Sequence, residues 1–360
     1  MKVVRFISDD PIQKQFGAAI RKNVNAYFKE KGISTKGDVN MVVKAIIILA
    51  SYIAPFVILL AVPMNGWAAL LLVVLMGIAE AGVGMSVMHD AVHGAFSDKK
   101  WVNTLFASSM YLLGSTTFNW KVQHNILHHS FTNIYGFDQD IETKAVIRLC
   151  DHAPLKKFHR GQYIYAYFFY GLMTLSKFIT DIGQLLDFNR SGITKEQNHN
   201  PATEIVKLVV TKVLYLCIII GLPLLFTGYS WWQVLLGFCI MHAVAGMIMS
   251  TVFQMAHVVE GTEQPLPDSN GVIKNDFTVH QLHTTSDFGR NNLLLNWYVG
   301  GLNFQIEHHL FPNTCHLHYR KIAPIVERTA KEFGINYNLK PSLVAAFISH
   351  AKRLKQLGLA

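Results

Sequence analysis

Apolar residues in this chain fall into four long runs. Ala45 to Pro63 carries no charge over nineteen residues, and Trp67 to Met88 carries only Glu80. Val213 to Phe226 is uncharged and reaches spanning length with the preceding Leu208–Lys212, and Trp231 to Ala256 is uncharged throughout. A bilayer core about 30 Å thick needs roughly 20 helical residues, so each run predicts a membrane-crossing helix. Buried helices of a soluble protein are a poor account of four segments this long. The runs pair into two hairpins, linked at about Met64-Asn65-Gly66 and at Thr227-Gly228-Tyr229-Ser230.

Between and around the hairpins the pattern changes. Thr104 to Phe118 is apolar but only fifteen residues long, which predicts a re-entrant or interfacial helix rather than a span. Gln162 to Phe188 mixes aromatic and polar residues and is expected to lie along the interface, where Tyr and Trp are favoured. Residues 1–40 read as an amphipathic segment with a turn near Lys36-Gly37, residues 41–335 as the main membrane domain, and residues 336–360 as a basic tail. The expected fold is an all-α integral membrane protein, with two transmembrane hairpins and a helical cap.

Composition agrees: 51% of the 360 residues are hydrophobic and 15% charged, less charge than a soluble domain carries. Neither hairpin link is charged. Lys2, Arg5, Lys14, Arg21, Lys22, Lys29, Lys31 and Lys36 precede the first span, and Lys99, Lys100, Lys121, Lys156, Lys157 and Arg160 lie between the hairpins. The excess of Lys and Arg on cytoplasmic loops then predicts both termini and the central segment on the cytoplasmic side, in a bacterial inner membrane or an endoplasmic reticulum equivalent. The net charge of +9 reflects this bias, and no nucleic-acid partner is expected. The first apolar run is too long for a signal h-region, so no cleavable signal is expected. The four cysteines show no zinc spacing.

The candidate chemistry lies in histidine clusters on the predicted cytoplasmic side. His89 and His93 follow the second run; His124, His128 and His129 form a second group; His308 and His309 form a third with Gln305 before them. On a continuous helix, His89 and His93 share one face about 6 Å apart, as do His124 and His128. An adjacent His129 points about 100° away. Two vicinal pairs, each aiming at two positions, imply two metals. Imidazole suits zinc, copper, iron and nickel. Structural zinc takes four ligands and usually includes thiolates, so these histidines exceed its needs, whereas a two-iron centre fits their number.

The order His-x3-His, His-x3-His-His, Gln-x2-His-His, with the strings "WKVQHNILHH", "NIYGFDQDIE" and "NFQIEHHLFP", resembles the membrane fatty acid desaturases over residues 40 to 335. That resemblance implies a cytoplasmic cap holding two non-haem irons, with O2 as co-substrate. O2, together with two external electrons, would remove two hydrogens from an acyl chain carried on CoA, a carrier protein or a lipid. It also implies a further ligand just beyond the fourth span, a position His257 occupies. Gln305 stands where a histidine is commoner, as in front-end desaturases, which insert a double bond between an existing one and the carboxyl end. It could reach iron directly, through water, or only through a ligand. The His-Pro-Gly-Gly string of a fused cytochrome b5 does not occur, which implies a separate ferredoxin or cytochrome b5-type donor with its reductase. Membrane lipids are the remaining expected partners.

Other residues stay open. His280 and His283 could bind metal or orient ligands. Glu80 could pair with His242, face an acyl tunnel or serve helix packing alone; His242 lies too far down its span to reach the metals. Asp90, Asp138, Asp140 and Glu307 could accept imidazole N–H bonds, solvated loop acids being the plainer reading. Trp120 and Lys121 could contact substrate or anchor the interface. The nearest rival activity is a fatty acyl or lipid hydroxylase on the same scaffold. A metal transporter would need ligands near the bilayer midplane, and a membrane zinc hydrolase would hold zinc in place of iron.

Overall fold

The structure is a computed structural model that describes residues 4–142 and 146–359. Helix α1 (Pro11–Lys31) precedes the first hairpin, α2 (Val39–Ala61) and α3 (Gly66–Val92). The chain then runs through α4 (Lys100–Ala107) and α5 (Thr117–Lys121), which continues into a π turn over Val122–His128. Helices α6 (Gln162–Gly171) and α7 (Met173–Arg190) lead to the second hairpin, α8 (Pro201–Phe226) and α9 (Trp231–His257). Five helices complete the chain: α10 (Phe277–Thr284), α11 (Leu293–Tyr298), α12 (Gln305–Leu310), α13 (Tyr319–Glu332) and α14 (Leu343–Leu359). Two short parallel ladders tie distant segments: Arg5–Phe6 to Val272–Ile273, and Asp287–Phe288 to Leu339–Lys340.

Helices α2, α3, α8 and α9 are long and apolar enough to cross a membrane, as the four runs predict. Each starts where a side chain can satisfy free backbone N–H groups: Asp38, Asn65, Asn200 and Ser230. Helices α2 and α8 begin several residues before their uncharged runs, because charged residues near their starts find partners. Lys44 Nζ lies 2.6 Å from His316 Nε2, and Glu204 meets both His199 and Lys207. Helices α3 and α9 approach closely at Gly77, where an added Cβ would stand 2.5 Å from the Met241 carbonyl oxygen. Small residues permit such approach between membrane helices.

The connecting segments depart from expectation. Residues 104–118 split into the end of α4, a 3-10 turn over Ser108–Leu113, and the start of α5. Residues 162–188 lie in two helices, α6 and α7, rather than one continuous element. Their junction reaches half-way along α9, where Thr174 Oγ1 donates to the His242 carbonyl at 2.8 Å. In the cap, α1 presents Phe16, Ile20, Val24 and Phe28 at helical spacing to Val279, Phe304, Ile322 and Val326. Helix α14 packs along α6 and the end of α9, and His350 Nδ1 donates to the Val258 carbonyl at 2.7 Å.

Candidate metal centre

The first pair forms at the end of α3. A π turn over Val83–Met88 precedes His89, and His93 N–H donates to the His89 carbonyl at 3.1 Å, the four-residue relation the spacing predicts. The second group differs from the α-helical expectation. Its π turn bonds His129 N–H to the His124 carbonyl, five residues back, at 3.0 Å. His129 is thereby turned under His124, with their Nε2 atoms 3.2 Å apart. π turns of this kind recur at functional sites. Helix α12 carries Gln305, His308 and His309. The segment before it passes α3 at Gly300, whose φ is +62° and whose added Cβ would stand 2.5 Å from the Met85 carbonyl oxygen. His257 is the last residue of α9.

These elements bring eight histidines together, all buried. His89, His93, His124 and His308 have ring nitrogens within 4.8 Å of one another, as do His128, His257 and His309; His129 groups with His308 and His309. His308 and His309 fall in different ones of the first two groups, although both also lie close to His129. Two nitrogens bound to one metal at about 2.1 Å sit about 3 to 3.4 Å apart. The Nε2 atoms of His89 and His124 are 3.2 Å apart.

The far side of several rings is fixed by acceptors, an arrangement common to metal-binding histidines. His128 Nδ1 donates to Asp138 Oδ2 at 3.0 Å, His257 Nδ1 to the Thr284 carbonyl at 3.3 Å, and His309 Nδ1 to Gln281 Oε1 at 2.8 Å. His308 Nδ1 lies 3.2 Å from the Tyr319 hydroxyl. The Nε2 atoms of His93, His128 and His308 are buried without a hydrogen-bond partner. Buried polar atoms are rarely left unpaired, and convergent lone pairs of this kind suit a metal. The residues present therefore fit a binuclear metal centre.

Electrostatics agree. Burial first, and the charge their neighbours would carry second, hold the His93, His124, His129, His308 and His309 imidazoles well below the ordinary range. Neutral imidazole is the form that binds metal. At His128 burial pushes the same way, but Asp138 and Asp140 outweigh it and raise the ring's pKa.

Gln305 Nε2 lies 2.9 Å from His257 Nε2 and 3.3 Å from His309 Nε2, and its Oε1 is buried without a partner. The amide therefore borders the second group. His280 and His283 do not join the cluster: His280 Nε2 donates to the Thr132 carbonyl at 3.0 Å, and His283 pairs with Glu263 at 3.3 Å. The four carboxylates are not solvated loop acids. Asp90, Asp138 and Glu307 are fully buried, with His316, His128 and Tyr337 as respective partners, and Asp140 lies 3.5 Å from His128 Nδ1. His242 pairs with Glu80 at 3.2 Å, away from the cluster. The Trp120 ring lies 4.3 Å from that of His124.

Several residues that shape the centre give no signal of their role in the sequence. Thr132, Asn133, Gln281 and Thr284 are ordinary polar residues until the fold places them. Three of them lie in strings that have a pointer: Asn133 opens "NIYGFDQDIE", and Gln281 and Thr284 flank His283 in "VHQLHTTSDF". Sequence reasoning also misses His316, which bridges Lys44 and Asp90 beside the first pair.

Comparison with known proteins bears on the same residues. The fatty acid desaturase family model matches residues 65–341, which includes all eight histidines. An sn-1 linoleoyl-lipid 6-desaturase of Arthrospira platensis is 33% identical over 96% of this chain and 93% of its own length. A protein of the same description from Synechocystis sp. is 32% identical over 97% of both chains. An acyl-lipid (8-3)-desaturase of Physcomitrium patens is 32% identical over 97% of this chain and 73% of its own. With a family model matched over residues 65–341, and relatives matched over nearly the whole of this chain, this chain belongs to the fatty acid desaturase family.

Proposed function

We propose that this protein is an acyl-lipid desaturase with a two-iron centre. His89, His93, His124 and His308 would hold one iron, His128, His257 and His309 the other, and His129 would stand between them. The observation that carries the reading is the convergence of eight buried imidazoles, seven of them in a group of four and a group of three with His129 beside both, within a chain of this family. Iron is favoured over zinc by the number of ligands and the absence of thiolates among them. With both irons bound, the chemistry supplied is oxidation by O2 and two external electrons, removing one hydrogen from each of two adjacent methylenes.

The chain's own residues bind, orient and enclose. Asp138, Gln281, Tyr319 and the Thr284 carbonyl hold the rings at Nδ1 so that Nε2 faces inward. Burial keeps water from the reacting carbons and keeps most of the imidazoles neutral. Trp120, beside His124 and His89, would form a wall of the acyl slot. Gln305 borders the second group at a position where a histidine is commoner, and this resemblance to front-end desaturases supports front-end regiochemistry. The relatives' names point the same way, since position 6 of a linoleoyl chain lies on the carboxyl side of its double bonds. Electrons would come from a separate ferredoxin or cytochrome b5-type protein. The basic segments favour a cytoplasmic cap with both termini on the same side.

The test is expression in a host of defined fatty-acid content, with double bonds located by mass spectrometry. A product two mass units lighter, with its new bond on the carboxyl side of an existing one, is expected. A gain of sixteen mass units would make the protein a hydroxylase, and a bond on the methyl side would overturn the front-end assignment.

A further inference from the structure

Asn133 is fully buried and has a φ of +58°, with Asn198 one of two non-glycine residues in the left-handed region among those described. Such a conformation is costly for a residue with a side chain and persists where the surroundings hold it. Two sets of contacts hold Asn133. Its backbone N–H donates to Asp138 Oδ2 at 2.8 Å, the same oxygen that accepts from His128 Nδ1 at 3.0 Å. Its side-chain Nδ2 lies 3.0 Å from the His257 carbonyl oxygen, 3.1 Å from that of Thr284 and 3.2 Å from that of Glu263. The Thr284 carbonyl also accepts from His257 Nδ1 at 3.3 Å.

One residue thus touches the acceptor that orients His128, the acceptor that orients His257, and the His257 backbone itself. His128 and His257 belong to the same group of three with His309, yet they come from chain segments far apart in sequence. We infer that Asn133 is the positioning residue that builds this second group, joining the π turn carrying His128 to the end of α9 carrying His257. The inference rests on reading the cluster as a binuclear iron centre. The role needs both features of the residue. A neutral amide has two N–H donors to offer these carbonyl oxygens, and the left-handed backbone aims its N–H at Asp138. Aspartate has the same shape but would set a carboxylate against three carbonyls. Glycine adopts the backbone freely and loses only the amide.

The test measures bound 57Fe per chain, and its Mössbauer spectrum, in the full-length protein in lipid nanodiscs. Parent, Asn133→Asp and Asn133→Gly forms are compared, with helix content checked by circular dichroism. The parent should hold two irons. Asn133→Asp should hold about one, with one iron environment lost from the spectrum and the other unchanged. Asn133→Gly should load both irons but release one to a chelator at least tenfold faster than the parent, because its backbone bond to Asp138 survives. Glycine is unstrained at this position, so that variant carries the test if the aspartate form does not fold. A folded variant with two irons, the parent spectrum and the parent release rate would overturn the inference alone. A parent that binds no iron would overturn the metal reading and the inference with it.

Discussion

A buried carboxylate is destabilising unless its oxygens are matched by donors, and Asp138 shows how closely this centre meets that need. Its Oδ2 accepts from His128 Nδ1 and from Asn133 N–H, and its Oδ1 accepts from Asp140 N–H at 3.0 Å. Asp138→Asn keeps the shape but turns one acceptor into a donor, which then faces another donor. Groups that orient metal-binding histidines typically change metal affinity by about 10- to 100-fold when replaced. A loss of that size is expected here, measured by competition with a chelator, and unchanged affinity would show that Asp138 does not orient His128. At this scale the sequence reveals the clustered histidines but not most of what holds them. Histidines announce themselves by spacing within a few residues. The acceptors Gln281 and Thr284, by contrast, reach their histidines only through long-range packing. The acids are visible as residues, but their burial is not, because a loop that folds under a cap reads in sequence like any polar loop.

Local geometry accounts for the main difference at the scale of elements. Spacing of three and four residues is equally compatible with an α-helix and with a helix carrying a π turn, and the second histidine group uses the latter. The two hairpin links and the caps at Asn65 and Ser230 are legible because uncharged runs end abruptly at polar residues. The starts of α2 and α8 are not, since a charge inside a helix signals a boundary until its partner is known. Helix pairing is equally hidden, and Gly77 gives it a test. An added Cβ would stand 2.5 Å from the Met241 carbonyl and 2.9 Å from Val244 Cβ, so α3 and α9 would have to separate. Overpacking of this kind costs about 1–3 kcal/mol. Gly77→Ala should therefore lower the midpoint of thermal unfolding, whereas Gly183→Ala in α7, with nothing within 4 Å of its added Cβ, should leave it unchanged or raise it. Equal effects of the two substitutions would remove the close helix approach as a determinant of stability.

The whole molecule places its chemistry at one end. His89 lies near the end of α3 and His257 at the end of α9, and these are the second helices of antiparallel hairpins. The starts of α2 and α8 therefore share that end, together with α1, the segment between the hairpins, and α14. The exposed basic residues Lys99, Lys100, Lys156, Lys157 and Arg160 lie in that shared region, whereas the opposite end offers two uncharged links. Lys and Arg close to span ends oppose translocation, so the end that carries Lys36, Lys99 and Lys100 should remain cytoplasmic. Single added cysteines test this directly. Gly228→Cys sits in the second link with open space around it, and Lys99→Cys sits on the exposed surface of the cap. Of the native cysteines, Cys150 and Cys315 are buried and Cys217 and Cys239 lie within the spans, so all four should stay unreactive. A membrane-impermeant maleimide should label the Gly228→Cys variant in intact cells, and the Lys99→Cys variant only after permeabilisation. The reverse pattern would turn the protein over in the membrane and leave its centre on the side opposite a cytoplasmic donor.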